Sequence, residues 1–274
     1  MESRRFGPLG DVPVIGLGTW KMEYDDRDAA ISAIRRAVEL GITHIDTAEL
    51  YGSGRVETMV GEALDGVRDR VFLVSKVLPE HASYAGTLKA CEASLKRLRT
   101  DHLDCYLLHW REDEPLAETF RAFETLKQQG KIRAWGVSNF DASDLEEAHA
   151  IVGDGVIACN QVLYHLADRG VEHRVIPWCE QHGVAVVAYS PFGSGNFPRS
   201  KALDDLARAR GVTAYQLALR FLIRRPSTFA IPKSSNVDHV AQLAAAGDLT
   251  ISDGDVAAIE KMFPRGSWKG LSMI

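Results

Sequence analysis

The stretch LKACEASLKRLRTDHLDCYLLHW, Leu88–Trp110, holds two periodicities in succession. Leu88, Cys91, Leu95 and Leu98 recur at helical spacing, with Lys89, Lys96, Arg97 and Arg99 between them, so one face is apolar and the other charged. Leu103–His109 is then mostly apolar without alternation, the pattern of a strand covered on both faces, as parallel strands between helices are. It ends on His109 and Trp110, two residues able to do chemistry. A helix feeding a doubly buried strand with such an ending is one unit of an α/β fold.

The unit recurs along the chain. Val14–Leu17, His44–Asp46, Val71–Ser75, Arg133–Val137, Val156–Gln161, Val184–Tyr189 and Thr228–Ile231 read as further buried strands. Ala30, Ile34, Ala37 and Val38 run at helical spacing ahead of Gly41, and Phe120, Phe123 and Leu126 ahead of Gly130, each glycine marking a helix end. Eight strand–helix units are the count of a (β/α)8 (TIM) barrel, and 274 residues suit one such domain. No Ser/Gly-rich linker divides the chain, so residues 1–274 are expected to form a single domain. Arg5–Pro13 reads as a short hairpin placed to plug the barrel base, and Asp253–Phe263 as an extra C-terminal helix. The tail Pro264–Ile274 carries Trp268, Leu271, Met273 and Ile274, which suits a cap over the barrel mouth.

Composition narrows the function. Hydrophobic residues make up 46% and charged ones 25%, enough for a large core. The net charge is −5 and no long basic run occurs, which argues against nucleic acid as the main partner. No apolar run reaches the length of a membrane span, and MESRRFGPLG lacks the apolar centre of a signal peptide. Cys91, Cys105, Cys159 and Cys179 are far apart with no CxxC pair, so neither disulfides nor a metal site is expected, and a reducing cytoplasm fits.

In a barrel of this kind, the chemistry comes from the C-terminal ends of the strands and the loops after them. The polar residues that end the runs are Asp46, Lys76, His109, Ser138 with Asn139, Gln161, Ser190 and Lys233. Tyr51 follows Asp46 closely. A free tyrosine, with a pKa near ~10, is a poor acid at neutral pH, and a neighbouring ammonium favours its phenolate. An Asp46–Lys76–Tyr51 chain is therefore expected to be an acid with a lowered pKa, and His109 to donate a hydrogen bond to a carbonyl oxygen. A structural ion pair is the bland reading of Asp46 and Lys76. A lysine Schiff-base aldolase, with Lys76 as nucleophile, is a sharper rival.

The motifs GLGTWK (Gly16–Lys21), IDTAELYG (Ile45–Gly52), VSKV (Val74–Val77), LRTDHLDCYLLHW (Leu98–Trp110), GVSNF (Gly136–Phe140), NQVLYH (Asn160–His165), AYSPFG (Ala188–Gly193) and IPKSS (Ile231–Ser235) occur in this order. Together they make the whole chain resemble the aldo-keto reductases. The resemblance implies a catalytic tetrad of Asp46, Tyr51, Lys76 and His109. It implies that a reduced nicotinamide nucleotide binds across the barrel mouth without a GxGxxG motif and gives a hydride to an aldehyde or ketone while Tyr51 gives the proton.

The resemblance also assigns the cofactor contacts. Ser138, Asn139 and Gln161 hold the nicotinamide carboxamide, and Tyr189 stacks on the ring. Thr19 and the segment Ser190, Pro191, Phe192, Gly193 and Ser194 follow the ribose and pyrophosphate, and Trp20 and Asp46 are further cofactor contacts. Ile231, Pro232, Lys233, Ser234, Ser235, Asn236 and His239 surround the adenosine end. His239 stands where the family usually carries arginine, which grips a phosphate bidentately. NADPH is accordingly expected as the cofactor, with NADH usable. Trp20, Tyr24, Leu78, His109 and Trp110 are expected to wall a site for a small carbonyl substrate, in a monomer. A nucleotide-binding regulatory or sensor barrel with little catalysis is the alternative function.

Overall fold

The computed structural model describes residues 1–274. The chain opens with an antiparallel hairpin, β1 (Ser3–Arg5) and β2 (Asp11–Pro13). Eight parallel strands follow: β3 (Leu17–Gly18), β4 (His44–Asp46), β5 (Phe72–Val77), β6 (Leu103–Leu108), β7 (Ile132–Ser138), β8 (Ile157–Leu163), β9 (Ala185–Tyr189) and β10 (Thr228–Ala230). They lie side by side in sequence order. Backbone bonds from Gly16 N to Ala230 O (2.9 Å), Ala230 N to Val14 O (3.0 Å) and Gly18 N to Pro232 O (3.0 Å) join the first strand to the last and close the barrel. Gly16 and Gly18 are needed there: a Cβ on either would stand 2.7 Å from a backbone carbonyl oxygen, that of His44 for Gly16 and that of Ile231 for Gly18. The two glycines of GLGTW thus mark the closure seam.

Helices α1 (Arg27–Glu39), α2 (Arg55–Ala63), α3 (Tyr84–Leu98), α4 (Leu116–Gln128), α5 (Ala142–Val152) and α6 (Val175–Gln181) follow β3 to β8 one by one. Each of α1, α3 and α5 starts from a side-chain cap, Asp26, Ser83 and Asp141 respectively. Two helices, α7 (Lys201–Ala209) and α8 (Ala214–Leu222), lie between β9 and β10, and α9 (Val237–Ala246) follows β10. The expected terminal helix is α10 (Asp253–Met262), whose Ser252 and Asp255 form a reciprocal cap. The barrel therefore carries a second added helix, α7, which packs against α10.

The hairpin plugs the base, as its position in the sequence implied. Phe6 is fully buried, with its ring 5.7 Å from that of His44, 5.0 Å from Phe72 and 5.1 Å from Phe229. β4 keeps its expected bounds, and each of the other barrel strands starts or ends one to three residues from its own. β5 in particular runs on through Lys76 to Val77, so Lys76 lies within the strand and is buried by it. No helix is long and apolar enough to cross a membrane.

Candidate active site

Strand ends and the loops after them deliver a cluster of ionisable groups to one rim. Asp46 ends β4, Lys76 lies near the end of β5, and Tyr51 sits on the turn after β4. Lys76 Nζ donates to Asp46 Oδ1 at 2.6 Å, to the carbonyl of Thr47 at 2.8 Å and to Tyr51 Oη at 3.2 Å. All three donors of the ammonium are thereby used. The other carboxylate oxygen of Asp46 accepts from Gln161 Nε2 at 2.7 Å. Thr19 fixes the strand end, its hydroxyl donating to the carbonyl of Asp46 at 2.9 Å.

Lys76 is fully buried and does not reach the cavity at the barrel mouth. That removes the Schiff-base reading, which needs a free amine facing substrate. Burial works against the Lys76 charge, but Asp46 and Tyr51 outweigh it and hold the ammonium above its ordinary pKa.

Tyr51 departs from expectation. Burial raises its pKa and outweighs the lowering by Lys76, so the phenol stays protonated well past neutrality. The sequence revealed the ammonium beside the hydroxyl but not the depth at which both are buried. A raised pKa suits a proton donor in the resting state, and the bond from Lys76 stabilises the phenolate once the proton has left. His109 lies beside Tyr51, with ring centroids 5.9 Å apart. Burial, assisted by Lys76, keeps its imidazole far below the usual histidine range, so it is neutral, and its Nδ1 is buried without a partner.

These groups open on a cavity of about 440 Å³. Its lining includes Thr19, Trp20, Asp46, Tyr51, His109, Trp110, Ser138, Asn139, Gln161, Tyr189, Ser190, Pro191, Phe192, Ser194, Ile231 and Lys233, all expected from the sequence. Gly18, Lys21, Leu50, Gly195, Met273 and Ile274 complete it. Met273 and Ile274 bear out the tail's expected place at the mouth, whereas Trp268 and Leu271 pack against the core.

Two expected substrate residues are not in the cavity. Tyr24 is 78% exposed, because left-handed Lys21 starts a 3-10 turn that carries it outward. Leu78 is buried away from the cavity, its N–H held by Glu49 Oε1 at 2.8 Å. Gly193, Pro232, Ser234, Ser235, Asn236 and His239 also stand outside the lining. Asn236 caps α9, accepting from the N–H groups of Asp238 and His239, and Ser234 bonds within the same turn. Three potential metal ligands, His149, Asp154 and His182, converge elsewhere on the surface, where both imidazoles hydrogen-bond Asp154 Oδ1.

The donor set suits a nicotinamide carboxamide. Asn139 is spent within the protein: its amide donates to His109 O and Ser138 Oγ, and its oxygen accepts from Tyr189 Oη at 2.9 Å. The Ser138 hydroxyl hydrogen and Gln161 Oε1 remain, one donor and one acceptor, which is what a carboxamide needs. Beyond them, Ser190, Gly193, Ser194 and Gly195 all have positive φ, and the tight turn they form, closed by the bond from Gly193 N–H to the Ser190 carbonyl at 2.8 Å, brings Ser190, Ser194 and Gly195 to the cavity edge. Lys21 and Lys233 are the ammonium groups that line the cavity, while Asp46, its one acidic side chain, is already paired.

The family model described as "Aldo/keto reductase family" matches residues 14–263. The chain belongs to the aldo/keto reductase family. It is 45% identical to "Methylglyoxal reductase YeaE" of Escherichia coli, over 96% of each chain. It is 33% identical to a glyoxal reductase of Bacillus subtilis, over 92% of this chain and 89% of that one. Among solved structures, an aldo-keto reductase from Klebsiella pneumoniae in complex with NADPH superposes with a TM-score of 0.95 at 46% identity. The match covers 100% of this chain and 99% of that one. Membership of the aldo/keto reductases makes the chain an oxidoreductase of carbonyl groups.

Proposed function

We propose that this enzyme reduces small reactive aldehydes, 2-oxoaldehydes foremost, to alcohols with NADPH. The observation that carries the reading is the Tyr51–Lys76–Asp46 chain, which brings a protonated phenol to a cavity edge beside a neutral imidazole. The relatives named for methylglyoxal and glyoxal support the substrate class, and the NADPH-bound neighbour supports the cofactor.

Bound reduced nicotinamide supplies the hydride. Ser138 and Gln161 are the residues that hold its carboxamide, Tyr189 the ring, and the Ser190–Gly195 turn with Lys21 and Lys233 the phosphates. His109, being neutral, donates one hydrogen bond to the carbonyl oxygen and orients it toward Tyr51. Tyr51 Oη gives its proton to that oxygen. Lys76 stabilises the resulting phenolate, and Asp46 with the Thr47 carbonyl keeps Lys76 in place. Trp20, Trp110 and Leu50 wall the substrate, and the small cavity favours compact aldehydes.

Residues 1–274 act as one domain in this reading, since the lining draws on Gly18 near one end of the sequence and Ile274 at the other. The enzyme acts as a monomer in this reading, and four free buried thiols support a reducing cytoplasm. The test is steady-state oxidation of NADPH with methylglyoxal and with an aromatic aldehyde. Turnover in the ordinary enzyme range of about 1–10³ s⁻¹ for at least one is expected. NADPH binding without oxidation by any aldehyde would return the chain to the sensor reading.

A further inference from the structure

Asp25 lies just beyond the 3-10 turn that follows β3, at the rim of the closure seam. Its carboxylate reaches across to the end of β10, where Oδ2 pairs with Lys233 Nζ and accepts from Ser235 Oγ. Lys233 is one of the two ammonium groups lining the cavity, and the other, Lys21, lies over the Trp20 ring at 4.3 Å. Burial alone would raise the Asp25 pKa, but Lys233 and Ser235 hold it below the ordinary value, so it is charged at every working pH. The Lys233–Asp25 pair is therefore neutral overall, and His239, where an arginine fork would add charge, is exposed at the start of α9. Side-chain exposures of 32% for Lys233 and 29% for Asp25 make this a pair that opens readily.

We propose that Asp25 sets the enzyme's choice between the two nicotinamide nucleotides. It competes with a 2′-phosphate for Lys233 and Ser235, and it accepts hydrogen bonds from the ribose hydroxyls when no phosphate is present. A phosphate monoester carries nearly two negative charges near neutrality, so it must displace Asp25 before it gains Lys233. A ribose 2′-hydroxyl, a donor, leaves the carboxylate where it is. The proposal rests on the reading of this site as a nicotinamide-nucleotide site, with Lys233 facing the adenosine end.

The test is the dissociation constant of NADPH and of NADH, each measured by tryptophan fluorescence without substrate. Wild type, Asp25→Asn and Lys233→Met are compared, with melting temperatures to confirm folding. Asp25→Asn should tighten NADPH about tenfold, equivalent to ~1.4 kcal/mol, and leave NADH unchanged or weaker. The gain should shrink with added salt. Lys233→Met should weaken NADPH more than NADH. Equal tightening of both nucleotides by Asp25→Asn would mean that Asp25 competes with the pyrophosphate, and would overturn the proposal. Weaker NADPH binding would make Asp25 a support for Lys233 and would overturn it too. If Lys233→Met affects both nucleotides equally, Lys233 does not face the 2′-phosphate and the proposal falls with it. Failure of wild type to bind either nucleotide would instead overturn the functional reading.

Discussion

His44 and Asp46 stand two residues apart on β4, both buried, yet the two ends of the barrel treat them in opposite ways. Asp46 faces the mouth and is fully partnered by Lys76 and Gln161. His44 faces the base among Phe6 and Phe72, and neither ring nitrogen has a partner. Burial, with a smaller push from Lys76, takes its pKa down to about 3, so it stays neutral. The base tolerates an uncharged polar ring as packing material, at a cost of about 1–3 kcal/mol for an unmet polar group. The mouth keeps charge, and keeps it by satisfying every donor and acceptor that the charge needs. One end of the strand is thus closed by neutral packing and the other is built for a proton transfer.

Lys76→Met should produce the largest effect, since it strikes both properties at once. It leaves Asp46 buried without its partner, a loss of about 3–5 kcal/mol of stability. It also removes the group that receives the developing phenolate, so the rate should fall by about 10²-fold or more. Urea unfolding and turnover on the same sample check both. A variant that loses rate but no stability would mean that Asp46 takes up a proton and ceases to need the lysine.

Phe6→Ala tests the other end. Removing a fully buried phenylalanine from the plug should cost about 3–5 kcal/mol. Turnover per folded molecule should stay within a few-fold of wild type, because Phe6 packs at the base, outside the cavity. A large loss of turnover at unchanged stability would show that the two ends are not separable.

His44 adds a pH dependence of definite sign. Its folded pKa, about 3, lies below an unfolded value near ~6.5, so between the two the unfolded chain binds the extra proton. The stability that comes from keeping it neutral is complete above pH ~6.5 and is lost as pH falls, by up to ~1.4 kcal/mol per unit. Unfolding free energies from denaturant curves at pH 7 and pH 5 should differ by about 2 kcal/mol from this residue alone. His109, also held low, adds in the same direction. His44→Leu should flatten the profile, and an unchanged profile would remove His44 as its source.

Trp110→Ala should give the smallest effect. The ring lies at the cavity edge, 4.9 Å from that of His109, with its Nε1 held by Glu112. An aromatic contact contributes about 0.5–1.5 kcal/mol, so the ratio of kcat/KM for aromatic over aliphatic aldehydes should shift by no more than ~tenfold. A sharp drop in Tm with unchanged relative specificity would place Trp110 in the packing instead.

The polar residues that end apolar runs were readable because strand ends are marked in sequence, and the barrel rule says where they go. That is how Asp46, Lys76, His109, Ser138 and Gln161 were found together. Lys21, Asp25 and Leu50 were not, because their place depends on how the loops after β3 and β4 fold across the rim. Lys21 and Asp25 bracket one short turn, and its left-handed start decides that Tyr24 points to solvent while Asp25 reaches Lys233. The direction of the Tyr51 shift was unreadable for a related reason: burial is a sum over distant segments, and here it outweighs the one nearby charge that the motif shows. The helix α7 has no place in the barrel count, which is complete without it.

The central claim is that Tyr51 delivers the proton, and single-turnover kinetics of Tyr51→Phe address it most directly. NADPH would be bound at saturation and its oxidation by methylglyoxal followed in stopped flow, with the NADPH dissociation constant measured alongside. The account predicts a dissociation constant within about twofold of wild type and a rate lower by at least ~10²-fold, the usual contribution of a general acid. A rate within a few-fold of wild type, at unchanged NADPH affinity, would contradict it.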